Sequence, residues 1–330
     1  IIYLSQGDEV SVQANDQTDA LVYGSSREIY TTFSGVRMVT ANGTDTGIAF
    51  STTLTTHKIF LPGYPILYDK LLLNQGNGYN TNTGVFTASV PGVYIFHFFS
   101  LSETNEPISQ DLYHNNQYIC SLSGLSATDR AQAGNTVILQ LHYGDHVQVK
   151  AKGTNKLFGE ANQIYSTFSG ALIGADTLPS SGSKGVIAFS AGLTRSFTLT
   201  SNMMVVFNRV FINLQHAFEQ RTGNFSAPIE GLYEFNVHVQ AQTNHAALLY
   251  LYRNSDIMVT VRANIPNRYS SIPGQHGTGG NSVIIHLQVG DSVYLQAGGG
   301  DVMYGTHDQV YCTFSGYLIT PMNTGLSFIG

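Results

Sequence analysis

Leu141-His142-Tyr143-Gly144-Asp145-His146-Val147, followed by Tyr165-Ser166-Thr167-Phe168-Ser169-Gly170, is written three times in this chain. The earlier copy is Leu4-Ser5-Gln6-Gly7-Asp8-Glu9-Val10 with Tyr30-Thr31-Thr32-Phe33-Ser34-Gly35. The later one is Leu287-Gln288-Val289-Gly290-Asp291-Ser292-Val293 with Tyr311-Cys312-Thr313-Phe314-Ser315-Gly316. Asp8 and Asp145 are 137 residues apart, and Asp145 and Asp291 are 146 apart. A solenoid repeats at roughly 20 to 50 residues, so this period describes a string of globular domains.

Other blocks recur in the same order. Tyr68-Asp69-Lys70-Leu71-Leu72-Leu73-Asn74-Gln75 and Thr83-Gly84-Val85-Phe86-Thr87-Ala88-Ser89-Val90-Pro91-Gly92-Val93-Tyr94-Ile95-Phe96 return as Phe207 to Gln215 and Thr222 to Phe235. An opening element, Gly47-Ile48-Ala49-Phe50-Ser51, returns as Gly185 to Ser190 and again near Gly325-Leu326-Ser327-Phe328. The order predicts the C-terminal part of a first domain over 1–40, complete domains over 41–175 and 176–322, and the opening strand of another over 323–330. Phe50 precedes Asp145 by 95 residues, whereas only seven residues precede Asp8. We therefore expect a separate polypeptide of about 90 residues or more to complete residues 1–40, since a few strands alone leave ladder edges unpaired. The upstream part of the same precursor, cleaved in a loop, is the simplest source. Residues 325–330 are expected to pair with a further domain.

Composition excludes several classes of function. Charged residues make up 11% of the chain, the net charge is −6, and no Lys/Arg cluster is present, so nucleic acid is not an expected partner. No run of about 18 apolar residues exists to span a bilayer. Gly numbers 34, Tyr 19 and Phe 18, with no Trp, giving a neutral, aromatic, Gly-rich chain.

Val85 to Val90 and Asp145 to Lys150 alternate apolar and polar residues at period two, and Gly, Pro or Asn interrupts the chain every eight to twelve residues or so. Short strands at even spacing predict an all-β antiparallel sandwich with jelly-roll connections. Phe50, Phe86, Tyr94, Phe96 and Phe168 are expected inward in one domain, and Phe189, Phe225, Tyr233, Phe235 and Phe314 in the other. Ser11-Val12-Gln13-Ala14, Gln148-Val149-Lys150-Ala151 and Tyr294-Leu295-Gln296-Ala297 share a phase, and their strands should bury the same face.

Asn74-Gln75 with Thr83-Gly84, the block from Phe86 to Phe96, Leu141 to Asp145 and the Tyr-x-Thr-Phe-Ser-Gly hexapeptide together resemble the globular head of the complement C1q and tumour-necrosis-factor-like superfamily. Multi-head chains without a collagen stalk are similar to those of molluscs and other invertebrates. The residues carrying the resemblance are Phe86, Gly92, Tyr94, Gly144, Asp145, Phe168 and Gly170, with Phe225, Gly231, Tyr233, Gly290, Asp291, Phe314 and Gly316. The resemblance implies tandem ten-stranded antiparallel jelly rolls, trimers about a three-fold axis, homo- or hetero-oligomers with related chains, a secreted extracellular setting, and protein, glycan or microbial-surface ligands. Ile229-Glu230-Gly231 departs from the Val-Pro-Gly the family favours, which bears on the turn there. With no Gly-x-y run, collagen cannot drive assembly. A pseudo-three-fold ring closed within one chain is expected instead.

Candidate chemistry is sparse. His97, His238 and His286 fall in strands without metal-ligand spacing, and read as polar strand positions. The Gly-Asp pairs read as turns, Gly taking positive φ and Asp capping its own backbone. Ser34, Ser169 and Ser315 lack a nucleophile elbow or a repeated base. Tyr30, Tyr165 and Tyr311 read as core or subunit contacts. Some relatives use calcium by resemblance, and Asp69, Asp111 and Asp176 are the carboxylates to hand, without an EF-hand ladder. Cys120 and Cys312 lie in different domains and read as small buried residues. Glycan acceptor sequences begin at Asn42, in a linker, and at Asn224, at a strand start. The chain thus reads as non-enzymatic: a multi-head, lectin-like or pattern-recognition protein of innate-immunity type, or alternatively a structural protein of an egg, secretion, adhesive or matrix.

Overall fold

The computed structural model describes residues 1–13, 28–37, 47–126, 129–175, 185–264, 276–299 and 301–322. The middle unit comprises β1 (Ala49–Thr53), β2 (Lys58–Phe60), β3 (Lys70–Gln75), β4 (Tyr79–Asn80), β5 (Val85–Thr87), β6 (Gly92–Thr104), β7 (Ile108–His114), β8 (Gln117–Gly124), β9 (Arg130–Leu141), β10 (His146–Ala151), β11 (Asn155–Leu157) and β12 (Thr167–Ala175). The C-terminal unit comprises β13 (Ala188–Gly192), β14 (Phe197–Leu199), β15 (Arg209–Asn213), β16 (Phe218–Glu219), β17 (Asn224–Ser226), β18 (Gly231–Gln240), β19 (Ala247–Arg253), β20 (Asp256–Ala263), β21 (Thr278–Leu287), β22 (Ser292–Ala297), β23 (Asp301–Met303) and β24 (Thr313–Pro321). Pieces of two or three residues, such as β4 and β16, carry the strand count past ten without altering the jelly roll. Among the described residues the helical content is one 3-10 turn, Leu214–His216.

Each unit is a two-sheet antiparallel sandwich. One sheet of the middle unit runs β2-β11-β6-β12-β1-β3, with β9 also paired to β6, and the other runs β4-β5-β10-β7-β8. The C-terminal unit repeats this as β15-β13-β24-β18-β21 and β16-β17-β22-β19-β20, with a small β14-β23 ribbon. All ten aromatic residues expected inward are buried. Phe50 stacks on Tyr79 at 4.8 Å and meets Phe168 edge-on at 4.9 Å. Phe189 repeats this with Phe218 at 4.5 Å and Phe314 at 4.9 Å.

The glycine of Thr-Phe-Ser-Gly is explained by those rings. A Cβ on Gly170 would lie 2.6 Å from Phe96 and 2.7 Å from Phe50, and one on Gly316 would lie 2.5 Å from Phe235 and 2.7 Å from Phe189. The strand backbone is itself the floor on which the aromatic cluster rests. The Gly-Asp turn forms in all three copies: Gly7, Gly144 and Gly290 have φ of 92°, 84° and 87°. In each, the Asp carboxylate accepts from the backbone N–H three residues earlier, at 2.7 Å from Ser5, 2.8 Å from His142 and 3.0 Å from Gln288. The departure at Ile229-Glu230-Gly231 leaves its turn intact. Tyr233 donates its hydroxyl to the Ile229 carbonyl at 2.8 Å, as Tyr94 does to that of Val90 at 2.6 Å.

The alternation expected after the turn holds in β10 and β22, where Val149, Ala151, Leu295 and Ala297 are buried. It fails in the first copy. Described residues 1–13 and 28–37 form no strand, Val12 is 77% exposed and Phe33 is 65% exposed. A strand is stabilised by ladder partners and a packed face, and the described residues provide neither around Val12 or Phe33.

Candidate functional site

A cluster of buried polar groups lies between the two units. In β6, Tyr94, Phe96 and Phe98 point into the sandwich, so period two sends Val93 and Ile95 to the other face of the sheet. That face is also covered. Val93, Ile95, Ile138 and Ala171 of the middle unit form one buried cluster with Ala188, Ile212 and Tyr317 of the C-terminal unit. Strands buried on both faces account for the unbroken apolar run Val93 to Phe96.

Beside this apolar patch is a hydrogen-bonded lock. Asn135 of β9 is fully buried. Its Nδ2 donates to the Ser121 carbonyl at 2.8 Å and to the Tyr311 carbonyl at 3.4 Å. Its Oδ1 accepts from the Thr313 hydroxyl at 2.6 Å and from the Thr136 amide at 2.8 Å. The Ser121 amide donates to the Val310 carbonyl at 2.9 Å, and the Val310 amide donates to the Tyr118 hydroxyl at 2.6 Å. Arg209 reaches across to the Tyr118 carbonyl at 3.3 Å. The Tyr311 carbonyl is therefore a contact between units, where the sequence leaves core and subunit contact open for this residue.

Two histidines meet at the same interface. The Thr136 hydroxyl lies 3.0 Å from Nδ1 of His97 and 2.9 Å from Nε2 of His238, joining β6, β9 and β18. Burial lowers both imidazoles, His97 to about 3 and His238 to about 4. A neutral imidazole is thus built into the fold, whereas an unfolded one takes a proton near pH 6.5. Stability from His238 is complete above pH 6.5 and is lost as pH falls from there towards 4, on the order of 3 kcal/mol in all. Urea unfolding at pH 7.5 and 4.5 should show this fall. His238→Gln, which keeps a partner for Thr136, should lessen the fall and leave the part due to His97, and an unchanged slope would assign the fall to other groups.

The remaining candidates are committed to structure. Burial raises Asp145, but the His142 amide, Asn115 and His114 outweigh it and hold the carboxyl at about 2. The Asn254 amide group, foremost, lowers Asp291. His286 pairs with Glu230 at 3.1 Å. Asp69 accepts from Thr55, Thr56 and Lys58, and Asp111 accepts from Ser121 at 2.6 Å. Among the described residues no three His, Cys, Asp or Glu side chains come together to hold a metal. Cys120 and Cys312 are buried and unpaired, and burial pushes the Cys312 thiol up to about 12. Asn224 donates to Ser226 at 3.1 Å and Ser292 at 3.4 Å, holding its amide within the sheet edge. Asn42, Asp176 and Gly325 to Phe328 lie outside the described residues.

Sequence matching gives the same two units: the C1q domain profile covers residues 49–173 and 188–319, more than half the chain. The chain belongs to the C1q-domain family. It is 36% identical over 114 residues to mouse complement C1q tumor necrosis factor-related protein 2, covering 34% of this chain and 38% of that protein. It is 30% identical over 135 residues to human complement C1q tumor necrosis factor-related protein 3, covering 40% of this chain and 51% of that protein. The matched stretch thus spans 38% of the first of these relatives and about half of the second. Among solved structures, the globular domain of zebrafish complement 1qA aligns at 23% identity and a TM-score of 0.34, covering 39% of this chain and 99% of that one. No helix among the described residues is long and apolar enough to cross a membrane.

The two C1q domains share a frame but not a surface. Tyr113 and Lys150 on the outer sheet of the middle domain put an ammonium 4.9 Å over a ring. The equivalent sheet of the C-terminal domain carries Tyr252 and Tyr294, stacked at 5.4 Å with planes 10° apart. The loop after β2 exposes Leu61 and Tyr64, where its counterpart after β14 has Thr200 and Met203. At the domain ends, Arg130 sits 3.8 Å over Phe158, and His276 stacks on Tyr304 at 4.1 Å.

Proposed function

We propose that this chain is a non-enzymatic, extracellular, multi-head recognition protein of lectin-like type. The observation that carries the reading is the contrast between a repeated frame and unrepeated exposed side chains. Packing fixes the frame, and surface positions free of packing are where recognition is built. The half-exposed Tyr252 and Tyr294 rings offer flat apolar faces with hydroxyl tips, a chemistry suited to the apolar face of a sugar ring. The Lys150–Tyr113 pair offers a cation on an aromatic, suited to an anionic ligand. Several weak sites held in one body gain by avidity once a surface presents repeated ligands. The extracellular setting rests on likeness to relatives named for complement. Of the two acceptor sequences, Asn42 is the proposed glycan carrier, because Asn224 is engaged by Ser226 and Ser292.

A glycan array probed with the 330-residue chain tests the reading. Tyr252→Ala with Tyr294→Ala should lower binding to the neutral glycans captured by about tenfold, roughly 1.4 kcal/mol. Lys150→Ala should act on anionic ligands instead. Abundance in a secretion or matrix together with an empty array would favour the structural alternative.

A further inference from the structure

We propose that the core of the middle domain binds internal water at a polar site formed by Tyr68, Tyr79, Ser100 and Gln110, a site that the C-terminal domain does not share. The observation is a set of four substitutions in an otherwise repeated core. The Phe168 ring lies 6.2 Å from that of Tyr68 and 6.0 Å from that of Tyr79, and Phe314 repeats this with Phe207 at 6.0 Å and Phe218 at 6.1 Å. The rings coincide, so the two hydroxyls are what differs. Strand register extends the comparison. Phe99 pairs with Thr167 as His238 pairs with Thr313, which makes Val239 of β18 the counterpart of Ser100 in β6. Gln110 of β7 pairs with Ala151 as Leu249 of β19 pairs with Ala297. Phe207, Phe218, Val239 and Leu249 are buried, and so are all four of their polar counterparts.

The polar set is joined but not satisfied. The Ser100 hydroxyl donates to Gln110 Oε1 at 3.1 Å. The Tyr68 hydroxyl, the Tyr79 hydroxyl and Gln110 Nε2 meet no hydrogen-bond partner among the described residues. Burial raises both phenols, Tyr79 adds to the rise at Tyr68 and Ser100 opposes it, so these groups sense one another and both hydroxyls keep their protons at neutral pH. Proton counting then selects the ligand. Gln110 Nε2 can only donate, Ser100 has committed its proton to Gln110 and can only accept, and the phenols can do either. A ligand for this set must accept and donate at once, fit a closed core and carry no net charge, because a buried ion without a counter-charge is expelled. Water meets all three conditions, and a buried water commonly makes about three such bonds. A dry core would gain nothing from these hydroxyls. The C-terminal domain shows that phenylalanine fills both ring positions equally well.

A high-resolution crystal structure of the 330-residue chain reads the site directly. A water should bridge Gln110 Nε2 and the Tyr68 hydroxyl, with none among Phe207, Val239 and Leu249. Hydrogen exchange at the amides of β10, which pairs with β7, supplies the energetic sign. Tyr68→Phe copies the C-terminal residue and should speed that exchange about fivefold, the loss of one net hydrogen bond. The joint variant Tyr68→Phe, Tyr79→Phe, Ser100→Val and Gln110→Leu should lose less than the four single changes summed, because donors, acceptors and water leave together. A Gln110 amide found without water would overturn the proposal. Slower exchange in Tyr68→Phe would do so independently, since removing a bare hydroxyl from a dry core stabilises it. Losses that add would show four separate positions and overturn the shared site.

Discussion

Phe50→Ala should destabilise the middle domain by about 3–5 kcal/mol, the range for emptying an aromatic site in a closed core. The ring touches both sheets. It stacks with Tyr79 and Phe86 at 4.8 and 5.0 Å and meets Phe168 edge-on at 4.9 Å. Beneath it is Gly170, whose missing side chain lets the ring rest on backbone. Truncation leaves a void walled by strand backbone on one side and rigid rings on the other, with little freedom to collapse. Phe189→Ala should do the same in the C-terminal domain, where the ring contacts are reproduced. Urea unfolding monitored by tyrosine fluorescence would read both losses. A loss under about 1 kcal/mol would mean that the rings close over the gap, against the packing argument.

The cores were legible because the sequence repeats them. Period-two alternation assigns β10 and β22, and recurrence of Phe86, Tyr94 and Phe168 as Phe225, Tyr233 and Phe314 marks the inward aromatic positions. The interface was less legible for a physical reason. Thr136 meets His97 and His238 from 39 and 102 residues away, and no local period encodes a contact between separate sandwiches. A signal for part of it was present: Gly134-Asn135-Thr136 returns as Gly280-Asn281-Ser282 at the same spacing as the Gly-Asp turn. A polar residue recurring in the middle of an apolar strand is a demand for a specific partner. The first copy of the motif misleads in the opposite sense. Its turn forms because Gly7 and Asp8 suffice for it, whereas the strands after it require neighbours that local sequence does not supply.

The second large effect is expected at that asparagine. Asn135 uses two donors and two acceptor positions, and two of the four bonds cross between the domains. Leucine is close in size, so Asn135→Leu keeps the packing but strands the Tyr311 and Ser121 carbonyls and the Thr136 amide in a buried site. At about 1–3 kcal/mol for each group left unsatisfied, a total near 3 kcal/mol or more is expected. Asn135→Asp separates hydrogen bonding from shape. At neutral pH the carboxylate keeps the bonds from Thr313 and Thr136, yet it places a negative oxygen against two carbonyls that previously received protons. It should therefore be worse than leucine, because a buried charge with no cationic partner, held against two carbonyl oxygens, costs more than an absent one. Thermal unfolding of the three proteins at pH 7.5 checks the order, and hydrogen exchange at the Ser121 amide, bonded to Val310, reports whether the two C1q domains part before either unfolds. If aspartate were tolerated better than leucine, the bonds Asn135 accepts would matter more than those it donates, and the lock would have to be reassigned to Thr313.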